Sequence, residues 1–83
     1  MDTRLRDGPI ETQIDDMWPN KENPEFFITF PEEFAHLENN SVTFSLKAWK
    51  GKYPPTLHQW VILKNIVEFG PDKKLRANIA NPV

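Results

Sequence analysis

From Ser41 to Ala48, polar and apolar residues alternate without a break. Val42, Phe44, Leu46 and Ala48 fall on one side of an extended chain, and Thr43, Ser45, Lys47 and Trp49 fall on the other. This period of two is the pattern of a half-buried antiparallel strand, and it commits the chain to a sheet with one covered face.

Two neighbouring segments read the same way. Residues 25–30 are rich in aromatic and β-branched residues, with Phe26, Ile28 and Phe30 on one face, and Pro31 ends them. Residues 56–70 carry a Thr56-x-x-Gln59 pair that resembles a helix capping box, with Gly70-Pro71 as a stop. A helical projection leaves that segment no polar face, and Val61, Ile62, Ile66 and Val67 are β-branched, so a strand is expected, with a bulge near Lys64-Asn65. Gly70 to Lys73 turns the chain and residues 74–79 return as the last strand. Pairing Phe69 with Leu75, Val67 with Ala77 and Glu68 with Arg76 would keep the apolar faces of this hairpin together. Pro31 to Leu37 reads as a short helical turn with Phe34 and Leu37 inward.

The chain has 83 residues, enough for one small domain. The expected fold is mainly β, a small antiparallel sheet of about four strands curled into a partly closed OB-like or SH3-like barrel. One short helix and an acidic N-terminal arm accompany it, and the alternative is an open α+β sheet. Residues 1–24 form the arm and 25–83 the β domain. Within the arm, Ile10, Ile14, Met17 and Trp18 share a helical face between Pro9 and Pro19, which predicts a short amphipathic helix. The other reading is an extended arm whose Trp18 plugs the edge of the core.

Charge is divided along the chain. Residues 1–41 hold three bases against ten acids, and residues 42–83 hold seven bases against two acids, so a −7 half precedes a +5 half. The overall charge of −2 conceals this split. The two halves are expected to face different partners, or each other.

With no cysteine there is no disulfide, thiolate ligand or cysteine nucleophile. No glycine-rich phosphate loop or nucleophile elbow is present, so catalysis and cofactors are not expected. Glu32 and Glu33 each share one side of a helical turn with His36, but two or three loosely placed ligands are weak evidence for a metal site, which normally needs three or four, so no metal is expected. No apolar run approaches 18 residues, so no membrane span is expected, and without a charged-then-apolar leader the expected location is cytoplasmic (intracellular).

Two functional readings follow. In the first, Lys47, Trp49, Lys50, Lys52, Tyr53, Trp60, Lys64 and Arg76 form a basic, aromatic sheet face that binds single-stranded nucleic acid, since rings stack on bases and cations track phosphates. The acidic arm would cover that face when it is empty. In the second, the chain is a small acidic interaction module or inhibitor that docks on a basic groove of a partner protein through residues 9–18 and 32–38. Glu11, Ile14, Asp15, Asp16, Met17, Trp18, Glu32 and Glu33 would then carry the contact, with carboxylates imitating phosphate charge. A third possibility is a homo-oligomer in which the arm fills a slot on a second copy with Ile10, Ile14 and Trp18.

Overall fold

A computed structural model describes the backbone of Thr3–Arg6 and residues 9–83. Among the described residues six strands appear in chain order: β1 (Thr3–Arg6), β2 (Ile10–Trp18), β3 (Phe26–Thr29), β4 (Val42–Ser45), β5 (Trp60–Phe69) and β6 (Lys74–Pro82). Two 3-10 turns, Glu32–Phe34 and Leu46–Ala48, complete the regular structure. The sheet runs β1-β5-β2-β3-β4-β6, and β6 also pairs with β5, which closes a five-stranded barrel. Every pairing is antiparallel except β4 with β6, where Val42 meets Leu75 and Thr43 meets Arg76 in parallel. The mainly β, small-barrel expectation therefore holds, with more strands and fuller closure than the sequence suggested. Closure leaves the five strands of the barrel paired on both sides, which removes the edges an open sheet would expose. Among the described residues no helix is long and apolar enough to cross a membrane.

Residues 10–18 are a barrel strand and not a helix. Ile10, Thr12 and Ile14 point inward in strict alternation, and a register shift between Ile14 and Asp16 then turns Met17 inward as well. Ile10, Ile14 and Met17 fit a helical period because this bulge adds one residue to the strand period, and Trp18 faces outward. Ile10 and Ile14 are buried in the barrel's own core, so they are not available to fill a slot on a second copy. Nor is β2 a cover that a ligand could displace, because it pairs with both β3 and β5. The expected arm also includes Met1, Asp2, Asp7 and Gly8, which lie outside the described residues.

The core is filled from every stave. Phe27 and Phe44 stack with ring centroids 5.1 Å apart, and Ile10, Ile14, Val42, Val61, Leu63 and Ile66 surround them. Burying each such side chain contributes roughly 1.5–3 kcal/mol. Thr29, fully buried, donates its hydroxyl to the carbonyl of Val42 at 2.9 Å, which meets its hydrogen-bonding need across β3 and β4. Phe26, Ile28 and Phe30 do share a face, but it is the outer one, because Phe27 and Thr29 face the core. The short helical turn forms as expected, with Phe34 buried as its anchor.

Further expectations need correction. The alternation of residues 41–49 stops at Ser45, where the chain tightens into the 3-10 turn Leu46–Ala48. Leu46 is consequently exposed and Trp49 turns inward. The Thr56–Gln59 pair makes half of a capping box, Thr56 N–H to Gln59 Oε1 at 2.9 Å, while Gln59 N–H closes a turn on the Thr56 backbone carbonyl at 3.1 Å, and the chain then enters β5 as a strand. The last hairpin pairs Phe69 with Lys74 and Glu68 with Leu75, one residue away from the expected register. Lys73 takes a left-handed φ of 55°, ending the turn early enough for Lys74 to pair. The bulge expected near Lys64-Asn65 does not appear in the pairing with β6, whose register continues unbroken; a left-handed Asn65 (φ 55°) instead switches the inward set from Val61 and Leu63 to Ile66.

Candidate functional site

Because β2 buries Ile10, Thr12 and Ile14, it presents Glu11, Gln13 and Asp15 outward. Across the antiparallel pair, Gln13 meets Trp60, the first residue of β5. The entry to β5 is tied to β2 by three hydrogen bonds. His58 N–H donates to the Ile14 carbonyl at 2.9 Å, Ile14 N–H to the Gln59 carbonyl at 3.0 Å, and the Gln13 side-chain amide to the His58 carbonyl at 2.9 Å. On the other side of β2, β3 ends at Thr29 and Phe30 turns outward. Pro31 then starts the 3-10 turn that displays Glu32 and Glu33 while Phe34 anchors it in the core.

These elements enclose a depression of ≈ 500 Å³. Trp60 and Phe30 wall it, 51% and 50% exposed, and Glu11, Asp15, Glu32 and Glu33 line it, with Thr12 and Gln13 at the floor. Among the described residues no lysine or arginine lines it. Four carboxylates give it a negative potential, and the electron-rich faces of the two rings favour the same sign of ligand. Among the described residues no group of three or more His, Cys, Asp and Glu is arranged to hold a metal ion.

The residues expected to bind nucleic acid do not form one face: Trp49, Lys52 and Tyr53 line one small depression, and Lys47, Trp60, Lys64 and Arg76 are not among the residues lining it. Trp49 packs against Phe44, with centroids 6.1 Å apart, and its indole N–H donates to the Tyr53 carbonyl at 2.7 Å. Lys50, Lys52 and Tyr53 stay in the loop that this hydrogen bond shapes, with the Lys52 ammonium 5.7 Å from the Tyr53 ring centre. Trp60 is exposed, but among carboxylates. Lys64 projects from β5 beyond the depression, and Lys47 sits in the 3-10 turn after β4. Arg76 is half-buried on β6, with its guanidinium carbon 4.9 Å from the Phe69 ring centre.

Of the residues expected to meet a basic partner, Glu11, Asp15, Glu32 and Glu33 converge on the depression. Ile14 and Met17 belong to the core. Asp16 occupies the bulge, accepting the Met17 N–H at 2.8 Å, and Trp18 packs on Phe26 away from the depression. His36 is exposed beyond the helical turn. The sequence reading missed Phe30 and gave Trp60 the opposite charge environment. Phe30 carried one signal, its place between a strand and the proline that redirects the chain.

Comparison with protein-family models, with curated proteins and with solved structures finds no match for this chain.

Proposed function

We propose that the chain is a protein-interaction module that seats a basic segment of a partner protein in the depression between Trp60 and Phe30. One observation carries this reading: two half-exposed rings and four carboxylates share a cavity into which no lysine or arginine of the described chain projects. A lysine or arginine side chain would lay its aliphatic stem along the rings and bring its charge to Glu11, Asp15, Glu32 and Glu33. A phosphate chain would meet repulsion from the same carboxylates, which counts against nucleic acid at Trp60. Of the two barrel types expected, we infer the OB-like one, from five strands closed through a single parallel pair.

The test is a titration of a fluorescent peptide rich in lysine and arginine against the wild type and a Glu32→Lys/Glu33→Lys variant. Both positions are exposed, so the fold should survive the change. The reading expects saturable binding by the wild type that weakens with salt, and a loss of about tenfold or more in the variant. Equal affinity in the two proteins, or no binding of the peptide, would contradict it.

A further inference from the structure

The outer surface over β3 and β4, together with the ends of β2 and β5 beside it, carries a second set of rings, Trp18, Phe26 and Phe69, away from the acidic depression. Trp18 and Phe26 are direct cross-strand partners with centroids 5.8 Å apart, and both remain open to solvent at 56% and 39% exposure. Rings of this size are usually covered. Moving around the barrel, Phe26 faces Ser45, Ile28 faces Thr43, and Thr43 faces Arg76. The Arg76 guanidinium lies over Phe69, and Phe69 pairs directly with Lys74.

Two shallow depressions lie end to end along β3 and β4. One, ≈ 610 Å³, is bordered by Phe26, Leu46 and Lys47. The other, ≈ 390 Å³, is bordered by Ile28, Thr43, Phe69 and Lys74. Their floors, Phe26–Ser45 and Ile28–Thr43, are two residues apart along the strands, roughly 7 Å. Each depression thus combines an apolar surface with a lysine, and Ser45 lines one while Thr43 lines the other.

We propose that this face binds single-stranded nucleic acid. One base stacks on the Trp18–Phe26 pair and another on the Phe69–Arg76 pair, since rings and guanidinium planes both accept bases. Lys47 and Lys74, one at each depression, meet the phosphates. Duplex ends do not suit this arrangement, because the rings require bases free of their stack. Asp16, opposite Ile28, and Glu25, beside Phe26, border the face and restrict it to a few phosphates. Only Lys47 and Arg76 are shared with the binding set expected from sequence. The rings come from Trp18, Phe26 and Phe69, and not from Trp49 and Trp60.

The test is fluorescence anisotropy of labelled oligothymidylate and oligouridylate of about ten nucleotides, at about 25 and 200 mM NaCl. The wild type is expected to bind at low salt and to weaken as salt rises. Trp18→Ala/Phe26→Ala should weaken binding about tenfold or more. Lys47→Glu/Lys74→Glu should do the same and lower the log–log salt slope by about 1.4, the value for two lost phosphate contacts on a single strand. All four positions are exposed, so both variants should keep the circular dichroism of the wild type. Glu32→Gln/Glu33→Gln, in the acidic depression, should leave oligonucleotide binding intact, which separates this proposal from the peptide reading. The absence of binding at low salt, binding without salt dependence, or undiminished binding in both double variants would overturn it.

Discussion

Trp60 on β5 stands directly across from Gln13 on β2, so the indole emerges between two outward carboxylates, Glu11 and Asp15, of the neighbouring strand. An exposed tryptophan in this position contributes little to the core. Trp60→Ala should leave stability to urea within about 0.5 kcal/mol of wild type, as surface substitutions usually do. It should also weaken capture of a basic peptide. A large loss of stability would mean that the ring packs under a neighbour instead of lining the depression.

The face of β3 can be read from two adjacent phenylalanines. Phe27 is fully buried and stacks on Phe44, whereas Phe26 lies on the outer surface against Trp18. Phe27→Ala should cost about 3–5 kcal/mol, while Phe26→Ala should cost well under half as much. Equilibrium denaturation of the two variants checks this, and comparable losses would place β3 in the wrong phase.

Gly51 lies directly against the Trp49 indole, where an added Cβ would overlap the ring. Gly51→Ala should therefore lift Trp49 away from Phe44 and lengthen its hydrogen bond to Tyr53, at a cost of about 1–3 kcal/mol. Near-ultraviolet circular dichroism would show the displaced ring, and an unchanged spectrum with unchanged stability would mean that the loop sits elsewhere.

Asn65 holds a left-handed conformation in the middle of a ten-residue strand. A β-branched residue adopts this conformation poorly, so Asn65→Val should destabilise by roughly 1–2 kcal/mol. Asn65→Gly should be close to neutral. Thermal denaturation of both variants checks the sign, and a stabilising valine would indicate a regular strand at this point.

The sequence revealed those parts of the fold in which a single period runs without interruption. Strand β5 was legible because its β-branched residues leave a helix no polar face. Strand β2 was not, because Thr12 occupies a core position that looks polar and the bulge at Asp15–Asp16 shifts Met17 by one residue. A similar interruption misplaced Trp49, since the 3-10 turn at Leu46 ends the alternation that would have carried its ring outward.

The candidate site was half legible. Its carboxylates could be picked out as two acidic clusters, at residues 11–16 and 32–33, but nothing local said that the β2–β3 hairpin brings them to one cavity. Trp60 belongs to the basic half of the sequence, and only its pairing with Gln13 places it among acids. The division of charge along the chain is thus partly undone in space.

The most direct measurement of the central claim is a ¹⁵N–¹H NMR titration of the chain with a lysine- and arginine-rich peptide. The account predicts that the Trp60 indole N–H and the amides of residues 11–15 and 30–33 (Pro31 excepted) shift together and saturate, while the Trp18 indole and residues 43–47 stay in place. Shifts confined to Trp18, Phe26 and Lys47, or none at Trp60, would contradict it.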